Sequence, residues 1–175
     1  LTVTAVNDIT TSSAVTVAGT EDTLNTYTVA NFAFTDADSA DSITRIKITI
    51  LESTGALECN NKNGLTAGWE ACVADDYVAA GTDLRLTPAA DSVADVTFSF
   101  MVYDGTAYSA AAYIVTTTVA AVNDVPTSTS FTVTTAEDTE HVFTAAEFGY
   151  ADVDSGDALV SAVLQAASAG TLWVD

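Results

Sequence analysis

The sequence predicts an all-β fold in which short strands stack as a sandwich, repeated in tandem along an extended chain. Three observations lead there. Val and Thr are abundant while helix signals are weak, and β-branched residues fit a pleated surface. Several segments alternate apolar and polar residues with period two. A long stretch of the chain also repeats itself at a fixed spacing.

The elements follow in chain order. "SAVTVAG" (13–19) reads as a first strand. "TVANF" (28–32) supplies a single helical turn. "ITRIKITIL" (43–51) places Ile46, Ile48 and Ile50 on one face and Arg45 and Lys47 on the other. Thr54-Gly55 and Asn63-Gly64 are turn signals, and "DLRLT" (83–87) is a short strand. "DVTFSFMVYDG" (95–105) alternates most clearly: Val96, Phe98, Phe100 and Val102 face one way, Thr97 and Ser99 the other. It closes on the turn Asp104-Gly105, and "AYIVTTTVAAV" (112–122) returns as a further strand. About six to eight short strands in roughly 110 residues point to an immunoglobulin-like β-sandwich.

The repeat sets the domain organisation. Val6-Asn7-Asp8 recurs as Val122-Asn123-Asp124, and Glu21-Asp22-Thr23 as Glu137-Asp138-Thr139, both 116 residues on. "YTVANFAFTDADSAD" (27–41) matches "FTAAEFGYADVDSGD" (143–157) at the same offset. Gly55-Ala56-Leu57 then matches Gly170-Thr171-Leu172 at 115, one residue having been lost between. The expected parse is residues 1–8 as the last strand and linker of a preceding repeat, 9–124 as a complete repeat, and 125–175 as the first half of the next. Such a half exposes an inner face and an unpaired edge, so its missing strands are expected from elsewhere, in the same chain or another.

The chain has 175 residues, 49% of them hydrophobic, enough for a packed core. Its 24 acidic residues face only four basic ones, giving a net charge of −20. Nucleic acid and anionic membrane are therefore poor partners. No apolar run reaches the ~18 residues that span a bilayer, so no membrane insertion is expected. Neither end reads as a signal peptide, which places any export signal outside this sequence. The two cysteines, Cys59 and Cys72, bracket "NNKNGLTAGWEA". A loop of that size is easily closed, whereas a zinc site needs ligands beyond both thiolates, and the only histidine, His141, is remote in sequence. The expected disulfide implies an oxidising, extracytoplasmic location.

The acids concentrate where the repeat recurs. The first unit carries Asn7-Asp8, Glu21-Asp22, Asp36-Ala37-Asp38, Asp41 and Asp104; the second carries Asn123-Asp124, Glu137-Asp138, Asp152-Val153-Asp154 and Asp157. Alternate residues of an extended D-x-D face the same side, so two carboxylates converge. Two such charges about 4 Å apart repel by roughly 4 kcal/mol at an effective dielectric near 20. Clusters of this kind call for a cation, and hard oxygen donors suit Ca²⁺. The spacing is not that of an EF-hand, because Asp41 stands where Gly is required and Lys47 where the bidentate Glu belongs. A glycosidase pair would need one acid in an apolar pocket, and an active site is seldom copied with each repeat. No nucleophile or phosphate-loop motif occurs, His141 reads as an exposed strand residue, and no enzyme is expected.

The order strand, Glu-Asp, D-A-D, strands, Y-D-G, strand, V-N-D resembles the bacterial cadherin-like tandem repeats of large surface adhesins and secreted biofilm proteins, over the entire chain. That resemblance implies calcium bound between successive repeats. Glu21, Asn123 and Asp124 would then join Asp152 and Asp154 at one junction, and Asn7 and Asp8 would join Asp36, Asp38 and Asp104 at the one before it. Asp41 and Asp157 stand equally as extra ligands or turn caps. The mid-domain acidic motif of cadherins is missing, its place taken by "DLRLTPAA" with Asp83 and Arg85. One or two ions per junction follow, bound in the ~10⁻⁴–10⁻³ M range of extracellular modules. The implied function is a structural and adhesive module of a secreted bacterial protein at the cell surface, with neighbouring repeats, like molecules or surface and matrix glycans as partners. Two alternatives are a carbohydrate-binding module using Trp69 within the Cys59–Cys72 loop, and a filament subunit assembling by strand exchange. Trp69 reads more readily as a cap on the sandwich end, and the cysteine loop is particular to this unit, Val174 standing where Cys59 would recur.

Overall fold

A computed structural model describes residues 6–38, 40–64, 68–165 and 171–172. Of the strand and linker expected over residues 1–8, residues 1–5 lie outside them and 6–8 are irregular chain; the repeat partners Gly170 and Val174 also lie outside. The chain divides into two compact units, Leu1–Val122 and Asn123–Asp175.

The first unit is an all-β sandwich. Its strands are β1 (Val15–Thr20), β2 (Asn25–Tyr27), β3 (Arg45–Ile50), β4 (Ala56–Asn60), β5 (Trp69–Ala71), β6 (Tyr77–Ala79), β7 (Leu84–Thr87), β8 (Val96–Tyr103) and β9 (Tyr113–Ala120). One sheet has the order β1-β9-β8-β3-β6 and the other β2-β7-β4-β5. All pairs are antiparallel except β1 with β9, which runs parallel from Val15↔Val115 to Thr20↔Ala120.

The two sheets close on side chains that alternate inward. Ile46 and Ile48 of β3, Phe98, Phe100 and Val102 of β8, and Val115 of β9 meet Tyr27, Leu57, Leu84 and Leu86 from the opposing sheet. Tyr27 packs edge-on to Phe98 at 5.6 Å between ring centroids, and Phe32 to Phe100 at 4.7 Å. Such aromatic pairs add ~0.5–1.5 kcal/mol to their burial. The Tyr27 hydroxyl would be stranded in this core, and it finds Thr117 Oγ1 at 2.5 Å.

Ile50 departs from expectation. A bulge between Ile48 and Ile50 shifts the β3–β8 register, pairing Ile50 with Ser99. One extra residue reverses the facing of everything after it, so Ile50 is 63% exposed instead of lining the core. The turn glycines stand as predicted, with φ of 83° at Gly55 and 118° at Gly105. A Cβ on Gly55 would also run into the carbonyl oxygen of Thr87. "TVANF" makes a single 3₁₀ turn, Val29–Asn31, closed by reciprocal bonds between Thr28 and Asn31.

The second unit forms no strand among its described residues. It holds one isolated bridge, Thr127↔Ala151, and a 3₁₀ turn, Ala145–Phe148, closed by Thr144 and Glu147 as its counterpart is by Thr28 and Asn31. His141, read as a strand residue, lies in irregular chain with Nε2 2.8 Å from Glu147 Oε1.

Candidate metal centres

The D-x-D segments do not converge by strand alternation as predicted. Residues 36–38 lie outside the strands, and a side-chain turn shapes them: the Asp38 N–H donates to Asp36 Oδ1 at 2.8 Å. Aspartate takes up this turn readily because its carboxylate mimics a backbone acceptor two residues away. The second D-x-D does the same, Asp154 N–H donating to Asp152 Oδ1 at 3.0 Å.

Each Asn-Asp signature docks on the D-x-D of its own unit. In the first unit the Asp8 N–H donates to Asp38 Oδ2 at 2.9 Å, and the Asn7 amide donates to the Asp8 carbonyl at 2.7 Å and to Asp104 Oδ2 at 3.4 Å. In the second, the Asp124 N–H donates to Asp154 Oδ2 at 2.7 Å and the Asn123 amide to the Asp124 carbonyl at 2.7 Å. Short bridges flank both arrangements, Thr11↔Thr35 and Thr127↔Ala151. Each signature is thus tethered to its D-x-D through the aspartate backbone N–H.

Three carboxylates then gather in each unit. Asp36, Asp41 and Asp104 each bring an oxygen within 4.8 Å of the others, and Asp152, Asp154 and Asp157 do likewise. Asp104 is 7% exposed, and Asp36 Oδ2 is a buried oxygen with no hydrogen-bond partner. Asp41 and Asp157, left open between ligand and turn cap, close turns through their backbone N–H groups, which donate to the carbonyls of Asp38 at 3.1 Å and Asp154 at 3.4 Å, and their carboxylates lie in the groups. Asp38 remains outside the first group, its Oδ2 engaged by Asp8.

Crowding acts on Asp41 in particular. The Asp41 carboxyl is pushed above the usual range, first by partial desolvation and then by Asp36, Asp38 and Asp104. The Asp104 carboxyl has the opposite fate: burial raises it, but the N–H groups of Ala107 and Thr106 and the Asn7 amide outweigh that and hold it low. In the second unit desolvation, the bond to Asp152 and the charges of Asp152, Asp157 and Asp154 together raise the Tyr150 hydroxyl.

Glu21 is 2% exposed at the end of β1, and its Oε1 accepts the Val122 N–H at 2.9 Å. It therefore pins the place where the first unit ends. Cys59 and Cys72 form the predicted disulfide, with Cα atoms 5.2 Å apart, stapling β4 to the chain just beyond β5. Trp69 on β5 lies half-buried under Arg85, whose guanidinium carbon is 4.3 Å from the ring, and Arg85 is itself held by Glu58 at 2.7 and 3.1 Å. Among the described residues no helix is long and apolar enough to cross a membrane. Comparisons with protein-family models, with curated proteins and with solved structures each found no match to this chain.

Proposed function

We propose that the chain is a structural and adhesive segment of a long extracellular protein, in which β-sandwich repeats are stiffened by calcium at their Asn-Asp signatures, and that it is not an enzyme. The observation that carries this reading is the recurrence of one arrangement in both units: an Asn-Asp backbone docked on a turned D-x-D, beside three carboxylates within 4.8 Å. The donor set is all oxygen, which suits a hard divalent cation over a thiophilic metal. The buried, unpartnered Asp36 Oδ2 is an acceptor waiting for positive charge. Calcium supplies that charge and accepts six to eight oxygens in flexible geometry.

The residues taken to hold it are Asn7, Asp8, Asp36, Asp38, Asp41 and Asp104 with the first signature, and Asn123, Asp124, Asp152, Asp154 and Asp157 with the second, Glu21 joining at the end of its repeat. With the carboxylates neutralised, the link between successive repeats loses its reason to open, and a string of sandwiches becomes a rod. The disulfide fits an extracellular address. Trp69 favours the sandwich-cap role over sugar stacking, since a guanidinium already covers its ring.

Calorimetric titration with calcium, paired with small-angle scattering, tests this directly. Binding in the ~10⁻⁴–10⁻³ M range is expected, with a rise in melting temperature and a longer maximum dimension. The double change Asp152→Ala and Asp154→Ala should remove the lengthening. A chain whose dimension and melting temperature ignore calcium does not work this way.

A further inference from the structure

The four basic side chains of this acidic protein are held in different ways. Arg85 is gripped by Glu58, and Lys62 lies 3.3 Å from Glu70 and 3.6 Å from Asp76. Lys47 reaches Asp75 at 3.7 Å, an aspartate whose side chain is 83% exposed. Arg45 has no carboxylate within 4.0 Å among the described residues, in a chain with 24 of them. Its guanidinium carbon sits instead 4.6 Å from the ring centre of Tyr77 and 5.1 Å from that of Tyr103. The Lys47 ammonium lies 4.6 Å from the ring of Tyr108, which in turn packs against Tyr103 at 4.6 Å.

The register explains the grouping. Arg45 pairs with Tyr103 across β8, and Lys47 with Tyr77 across β6, so both cations rise from the outer face of the five-stranded sheet, opposite Ile46 and Ile48. The Tyr77 hydroxyl donates to the Asn63 carbonyl at 3.0 Å, which anchors that ring. A guanidinium held near aromatic rings, with no carboxylate partner, still has five N–H donors, the fork with which arginine takes a carboxylate through two parallel bonds. The Lys47–Asp75 pair is solvent-exposed on one side and worth at most about 1 kcal/mol, so an incoming acid readily replaces it. The cations are particular to the first unit: the corresponding stretch of the second, "ALVSAVLQAASA" (158–169), has no basic residue.

We propose that Arg45 and Lys47, set among Tyr77, Tyr103 and Tyr108, form a docking site for an extended acidic peptide segment with carboxylates at alternate positions. Charge complementarity and spacing select that partner. Two residues apart on one strand face, Arg45 and Lys47 are spaced about 7 Å along the backbone, the same repeat that residues i and i+2 have on an extended partner chain. Ring contacts hold both cations in place, so binding immobilises little that is not already fixed. The overall negative charge opposes approach, but beyond about 8 Å that repulsion is screened at physiological ionic strength.

The test is a titration of the full chain, at physiological salt and without divalent cations, with a peptide of alternating Asp and Thr. Calorimetry and the side-chain Nε–H resonance of Arg45 report binding. Saturable binding is expected, with none to the same peptide carrying Asn for Asp. Arg45→Gln should weaken it about tenfold or more, and Arg45→Lys, which keeps the charge and loses the fork, by less. Unchanged melting temperatures for both variants show that the sandwich persists. No binding, or equal binding by Arg45→Gln, overturns the assignment. A preference for an oligouronate over the peptide gives the site to an acidic polysaccharide, and self-association lost in Arg45→Gln gives it to a second copy; either result also overturns it.

Discussion

Asp41 is surrounded by Asp36, Asp38 and Asp104, and its carboxyl is raised above the ordinary range by desolvation and by those three charges. A raised folded-state pKa means that the fold favours the neutral acid. Asp41 therefore contributes stability below its unfolded pKa, and this is lost as the pH rises through the folded one. In chelator at neutral pH, Asp41→Asn is expected to raise the melting temperature, with the gain fading on acidification below the usual carboxylate range. The same change should reduce the stabilisation that calcium confers. Melting curves across pH, with and without calcium, measure both; a variant less stable in chelator would show that Asp41 serves only as a turn former. The gathering of acids was legible in the sequence from their recurrence, except for Asp104, which has no counterpart within residues 125–175 and entered through the family resemblance. Their geometry was not, because D-x-D reads equally as an extended pair and as a side-chain turn, and the choice is made by the N–H groups of Asp38 and Asp154.

At the scale of elements, alternation exposed the strands that are long or sharply two-faced. β8 and β9 have eight residues each, β1 and β3 six, and β7 declares itself by Leu84 and Leu86 around Arg85. β2, β5 and β6 have three residues each and β4 five, too few for a period of two to stand out, so their pairing is decided by tertiary contacts. The bulge after Ile48 was equally hidden, since the pattern continues smoothly through Thr49 and Ile50 while the register does not. The β4–β5 hairpin shows how a short element is kept. β5 is an edge strand with only β4 beside it, and the disulfide ties its end back to Cys59. Replacing both cysteines, Cys59→Ser with Cys72→Ser, should lower stability by about 3 kcal/mol, the chain-entropy value for a loop of this size. Denaturant unfolding reads that loss.

For the molecule as a whole, the contrast between units follows from which strands have partners. Tyr27 and Phe32 are buried against Phe98 and Phe100 of β8. Their repeat counterparts Phe143 and Phe148 gather instead with Phe131 into an aromatic cluster in which Phe131 and Phe143 remain 43% and 44% exposed. Without neighbouring strands to bond, residues that would repeat β1 and β2 stay irregular, as isolated strands do in water. Amide hydrogen exchange should therefore protect β8 and β9 strongly while leaving residues 128–143 near the intrinsic rate. Strong protection there would mean that the second unit completes itself by some other pairing. The likeness of the two stretches was readable in the sequence, but the irregular course of residues 128–143 was not, because a pattern of alternation says nothing about whether a partner strand is present.

The parallel pairing of β1 with β9 has a mechanical consequence. The first and last strands of the unit lie side by side through six registered residue pairs. Tension applied at the start of β1 and the end of β9 pulls these strands past one another along their length. The load then falls on the whole ladder together, as on a lap joint, whereas a hairpin pulled at its open end yields one rung at a time.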